Sequence, residues 1–212
     1  KLQSDTLKMP NLFIKYGEDF IIDTKLTVNN FENINQTHFN ADIKKIGVDF
    51  PKLFEIISYF TKKDININIP QKLNKLLYVG KLNGFLTDFH LNGTFISLVG
   101  KVQSNIDIAH QNKWDNFTIK GDLHSKKIDL SQALNNTNFG NTAFDVELSI
   151  DRINDNIDGY VDGNILEFGF KNYNYQDLTL TGNFNKNSFD GHAYLSDENL
   201  KFKFDGLIDF SH

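Results

Sequence analysis

The side chains that could do chemistry in this chain are its 6 histidines and its scattered carboxylates. His38, His90, His110, His124, His192 and His212 include no i, i+4 pair on a helix and no HExxH, the spacing that aims two imidazoles at one metal. Most of them alternate with apolar neighbours on the polar side of a strand, which predicts surface histidines. The run Asn154-Asp155-Asn156-Ile157-Asp158-Gly159 imitates the start of a calcium loop. Its twelfth position, however, is Ile165 where a bidentate Glu is required, so a solvated hairpin turn is expected. No G-x-S-x-G, Walker loop or G-x-G-x-x-G occurs. Carboxylate pairs for glycoside cleavage meet only in a fold, and nothing in the sequence favours them. Asn92 and Asn116 match the glycan-acceptor pattern, as chance allows in an asparagine-rich chain. The expectation is a protein that is not an enzyme and carries no cofactor and no metal.

The composition narrows the classes further. The chain has 212 residues, 40% hydrophobic and 23% charged, with a formal net charge of -5. That length suits one or two domains with a sizeable core. An acidic balance supplies no field for nucleic acid, so no nucleic-acid partner is expected. The absence of cysteine removes disulfides, thiolate metal sites and a thiol nucleophile. No stretch approaches ~18 consecutive apolar residues, so no membrane-spanning helix is expected within it. The start lacks signal-peptide architecture, and Phe210 falls on an apolar strand pattern, which reads as a piece of a longer protein.

The elements that must carry these residues are strands. Tyr78, Gly80 and Leu82 share one parity, as do Phe89, Leu91, Gly93 and Phe95. Phe117, Ile119, Gly121 and Leu123 repeat the rhythm, followed by Val161, Gly163 and Ile165. Leu178, Leu180, Gly182 and Phe184, then Phe202, Phe204, Gly206 and Ile208, close the series. The unit is apolar-x-apolar-x-Gly-x-apolar, and period-two alternation puts each glycine on the apolar face. Glycine inside a strand weakens it unless the backbone bends or something approaches closely. Its repetition predicts a strongly curved sheet with a concave apolar face and a wet outer face. Short turns such as Lys186-Asn187-Ser188 predict antiparallel hairpins.

Two or three short helices interrupt the pattern. Asp49 is placed to cap Pro51 to Phe60, with Leu53, Ile56, Ile57 and Phe60 on one face, and Asp129 to cap Leu130 to Leu134. Pro70 to Leu76 forms a further turn. The helices are expected to plug one end or bridge parts of the sheet. Residues 1–69 read as N-terminal strands plus the helix near 51–60, and residues 70–212 as the curved sheet, together one continuous unit. Before residue 50 the alternation is less clean, with strands suggested at Phe20 to Val28 and Phe39 to Ile43. Leu166, Phe168 and Phe170 lie on the parity opposite to Val161 and Ile165, which requires a bulge or turn near Leu166.

Several segments resemble a known family. Tyr78-Val79-Gly80-Lys81-Leu82-Asn83-Gly84-Phe85-Leu86-Thr87-Asp88-Phe89 is similar to a segment of Bacteroidota proteins of the TamB type, within the AsmA-like group. Ile128-Asp129-Leu130 with Leu134 continues the likeness. It is clearest at Phe168-Gly169-Phe170-Lys171-Asn172-Tyr173-Asn174-Tyr175-Gln176-Asp177-Leu178. Phe189-Asp190-Gly191, Asp197 to Leu200 and Phe202 to Phe210 keep the same order of elements. The resemblance covers roughly residues 70 to 210, and the first third loosely. It implies a periplasmic, elongated, groove-shaped β structure bridging inner and outer membranes. It further implies phospholipid transport in support of outer-membrane biogenesis and a translocation and assembly module. The parent protein would then have an inner-membrane anchor and an outer-membrane barrel partner.

The expected fold is all-β: an elongated, strongly curved antiparallel sheet forming an open, taco-like groove. A closed β-sandwich or barrel is the alternative, since the same apolar residues could form a sealed core. The expected ligand is the acyl chains of phospholipid. The expected lining is Tyr78, Leu82, Phe89, Leu91, Phe95, Phe117, Ile119, Leu123, Val161, Ile165, Leu178, Leu180, Phe184, Phe202, Phe204 and Ile208. A scaffold assisting outer-membrane protein assembly through a strand edge is the second expectation.

Overall fold

The computed structural model describes residues 5–18, 20–61, 70–111, 116–154 and 156–211, without the side chains of Phe54, Ile56, Ile57, Phe60 and Thr61. Alternating apolar and polar residues form β1 (Thr6–Tyr16), β2 (Phe20–Asn29), β3 (His38–Asp49) and β4 (Lys75–Phe85). They continue as β5 (Asp88–Ser97), β6 (Gly100–Gln111), β7 (Asn116–Asp129) and β8 (Phe139–Ile153). The series closes with β9 (Asn156–Phe170), β10 (Tyr173–Asn185), β11 (Ser188–Ser196) and β12 (Lys201–Asp209).

All of these strands belong to one 12-stranded sheet whose spatial order equals the sequence order, β1 to β12. Every neighbouring pair is antiparallel, so the chain is a meander of hairpins. The first and last strands do not pair with each other, and the sheet is a curved open sheet, not a closed barrel. At ~4.8 Å between strands it runs roughly 50–60 Å along its own surface. The same sheet crosses from the N-terminal third into the rest through the β3–β4 pairing.

The helices start where capping chemistry allows. Helix α1 (Phe50–Thr61) follows Asp49, whose Oδ1 accepts from the Lys52 backbone N–H at 3.3 Å, with Pro51 in the first turn. Leu53 is half-buried, while the side chains of Ile56, Ile57 and Phe60 lie outside the described residues. Helix α2 (Leu130–Ala133) is capped by Asp129, which accepts from the Gln132 N–H at 3.1 Å. The turn expected from Pro70 to Leu76 is shorter. A 3-10 helix covers Gln71–Leu73, and Lys75 already opens β4, because Leu76 is needed for pairing with Val48.

Bulges explain where the alternation blurs. The register shifts between Met9 and Leu12, where Pro10 sits on the edge strand β1. It shifts again between Ile43 and Ile46. Each extra residue reverses parity, so a period-two reading of residues 1–50 loses phase. A shift between Ala143 and Phe144 on β8 leaves Leu166 as the extra residue of β9. Phe168 and Phe170 thereby return to the face of Val161 and Ile165.

Candidate functional site

The register carries the alternation across the whole sheet. One row runs from Leu7 through Val28, Phe39, Gly84, Phe89 and Ile108 to Ile119. It continues through Ile150, Gly159, Phe184 and Phe189 to Ile208. Every residue on it is apolar or glycine. A second row runs Met9, Leu26, Ala41, Leu82, Leu91, Ile106 and Gly121. It ends Leu148, Val161, Gly182, Gly191 and Gly206.

A third row, Leu12 to Phe204, contains Thr24, Ile43, Gly80, Gly93, Ser104, Leu123, Val146, Gly163, Leu180 and Ala193. Its two hydroxyls are turned into the backbone: Thr24 donates to Asp42 O at 3.0 Å and Ser104 to Gly93 O at 3.3 Å. The fourth row holds Ile14, Ile22, Ile46, Tyr78 and Phe95 before the β7 bulge. Beyond it stand Ser125, Phe144, Ile165, Leu178, Leu195 and Phe202. Ser125 Oγ donates to Lys101 O at 2.7 Å. The four rows together are an apolar strip crossing every strand.

All the residues expected as lining fall on this one face. Phe117 stands at its margin, beside Ile119. Among them only Tyr78 is buried, at 7% exposure, and the others are half-buried or exposed, Phe202 reaching 47%. Burial pushes the Tyr78 hydroxyl up to about 12, and it donates to Lys81 O at 3.1 Å. The tightest packing is local. Ala41, Ile43 and Tyr78 form one cluster with Leu26, Ile46, Leu82, Leu91 and Phe95 around it. At the other margin α2 folds onto the sheet, Ala133 packing with Val99 and Ile128 against Leu73, Val102, Leu130 and Phe144. That contact covers one edge of the apolar face, most of which stays half-buried or exposed among the described residues. A compact monomer of this mass exposes about 10,000 Å², whereas this chain exposes 14544 Å².

Sequence alternation missed several lining residues. Ile106 and Ile108 on β6, Val146, Leu148 and Ile150 on β8, and Phe189, Ala193 and Leu195 on β11 share the face. Their strict alternation was the available signal. β6 and β8 have no glycine at the repeated position of the strand unit, so a glycine-centred search passes over them.

The outer face carries polar pairs. His90 Nδ1 lies 2.8 Å from Asp107 Oδ1, and His192 Nδ1 lies 3.1 Å from Asp205 Oδ1, each across one strand pair. His110 departs from the rest: it has the parity of Ile106 and Ile108, and its Nε2 lies 2.8 Å from Leu86 O. His212 lies outside the described residues, as does Asp155 of the calcium-like run, whose neighbours Ile153 and Asn156 pair at a hairpin end. A shallow depression of about 350 Å³ on β5–β7 is lined by Asn92, Asn105, Asp122 and His124. Its polar groups bond one another, Asn92 Nδ2 donating to Asn105 Oδ1 at 3.0 Å and Asn105 Nδ2 to Asp122 Oδ2 at 3.4 Å. Among the described residues, no group of three His, Cys, Asp or Glu side chains is placed to hold a metal, and no helix is long and apolar enough to cross a membrane.

No family model, no curated protein and no solved structure matches this chain.

Proposed function

We propose that this sheet is a lipid-carrying segment, whose apolar face holds phospholipid acyl chains within a periplasmic bridge between two membranes. The observation that carries the reading is the set of apolar rows that crosses all the strands while remaining partly open to solvent. Moving an acyl chain out of water is worth about 0.8 kcal/mol per CH2. A continuous strip lets a chain slide from strand to strand without returning to water, while the head group stays outside. The resemblance of residues 70 to 210 to TamB-type proteins supports the same reading. So does the polar outer face, which keeps such a bridge soluble. The role is one of carriage, without a catalytic step.

Native mass spectrometry of detergent-free protein, with lipid extraction, tests this. Phospholipid is expected to co-purify with the wild-type chain and to be lost from Ile119→Asp. A folded wild-type protein that neither retains nor takes up lipid would overturn the reading.

A second reading rests on the sheet ends. Among the described residues β1 and β12 each have one unpaired edge, and an unpaired edge accepts an incoming strand. In that reading the protein is a scaffold for outer-membrane protein assembly. Site-specific crosslinking from Leu207 on β12 to an outer-membrane protein during its assembly would support it, and its absence would sink it.

A further inference from the structure

Arg152 is the only arginine of the chain, and its register places it on the apolar face. It pairs with Phe117 on β7 and with Ile157 on β9, two residues beyond Ile150 of the first apolar row. The strand lysines take the opposite parity, as Lys81, Lys120 and Lys203 do, or sit in bulges, as Lys44 does. The guanidinium carbon lies 5.9 Å from the Phe117 ring centroid. Arg152 Nε donates to Asn154 O at 2.8 Å. Asn154 is itself fixed, its N–H donating to Asn116 Oδ1 at 3.0 Å and its φ of 55° marking a turn residue.

One N–H and one ring therefore hold the head in place. The terminal Nη groups have no hydrogen-bond or carboxylate partner among the described residues. A half-buried guanidinium beside an apolar strip is stabilised by an anion that accepts from that fork. Phosphate oxygens match the fork's geometry. We propose that Arg152 seats the phosphate of a lipid head group near the end of β8, beside Phe117, with the acyl chain lying over Phe117, Ile119 and Ile150. This rests on the lipid-carrying reading and adds to it a fixed position and an anionic class for the head group.

The test compares two probes of equal acyl length, lysophosphatidylglycerol and a neutral monoacylglycerol, titrated below their micelle concentrations, with inorganic phosphate as competitor. Arg152→Gln is expected to weaken lysophosphatidylglycerol about 10- to 100-fold, the worth of a charged hydrogen bond. Monoacylglycerol binding should stay unchanged, and Arg152→Lys should retain part of the preference. Equal loss of both probes, or no loss of either, would overturn the head-group seat. So would inorganic phosphate binding as tightly as the lysolipid, which marks a free-anion site. If the wild type binds monoacylglycerol without preferring the phosphate probe, the seat fails and the trough stands. If it binds neither probe, both fail. Should Arg152→Gln lose its sheet signal by circular dichroism, the wild-type preference between probes and its partial fall in Arg152→Lys decide the matter.

Discussion

The Tyr78 hydroxyl lies over the backbone of Gly93, so that a methyl built on Gly93 would stand 2.7 Å from it. Gly80, the cross-strand partner of Gly93, is equally confined: a methyl there would meet Gly93 Cα at 2.5 Å. The two glycines make room for a phenol ring on the crowded side of a bent sheet, which is why the ring can be buried where the neighbouring lining is not.

Gly93→Ala is expected to destabilise the fold by about 1–3 kcal/mol, as an overpacked site does. Gly206→Ala supplies the contrast. Its methyl would meet only Phe204, at 4.0 Å, but its φ of +147 is strained for an L residue. A smaller loss is expected there, from backbone strain alone. Paired denaturant melts separate the two, and an equal cost would refute the crowding at Gly93.

The open face predicts an unusual tolerance. Ile119→Asp changes a half-buried residue and should leave a cooperative melt and a β-sheet spectrum, with a small fall in Tm. Ile43→Asp places the same charge at a residue only 3% exposed, inside the tightest cluster, and should prevent folding or cost several kcal/mol. Comparable collapse of both variants by circular dichroism would indicate a sealed core.

The loop between β11 and β12 supplies a pH dependence. Asp197 is 5% exposed and its carboxylate accepts from Tyr173 OH at 2.7 Å, Asn199 N at 2.9 Å and Gln176 N at 3.1 Å. The Tyr173 hydrogen bond first, then the backbone N–H groups, hold this carboxyl below the usual carboxylate value. A depressed folded pKa means stability is fully present above the unfolded value, near 3.9, and lost as pH falls through the folded one. Wild-type melts should therefore show added loss of stability below about pH 4 that Asp197→Asn lacks. Tyr173→Phe should reduce the same loss.

Like charges face each other on the wet side. Asp122 pairs with Glu147, which pairs with Asp162. Opposed like charges are worth roughly 0.2–1 kcal/mol of destabilisation. Glu147→Gln should raise stability by about that amount. The gain should shrink in high salt, where screening already relieves the repulsion. A salt-independent gain would assign it to something other than charge.

Chain alternation alone determined that this protein is a meander of half-apolar strands, because period two is a local property of the backbone. It also determined the helix starts at Asp49 and Asp129, whose carboxylates are three residues from the N–H groups they cap. The bulge at Leu166 was legible as a clash between two parities. Only the tertiary structure decided the rows. Whether Leu148 stands beside Val161 and Gly121 depends on the register between strands, which alternation within one strand does not specify. Likewise, the same Phe, Leu and Ile residues would suit a sealed sandwich. The structure leaves the face open because β1 and β12 do not meet, a relation between residues two hundred positions apart that no local pattern encodes.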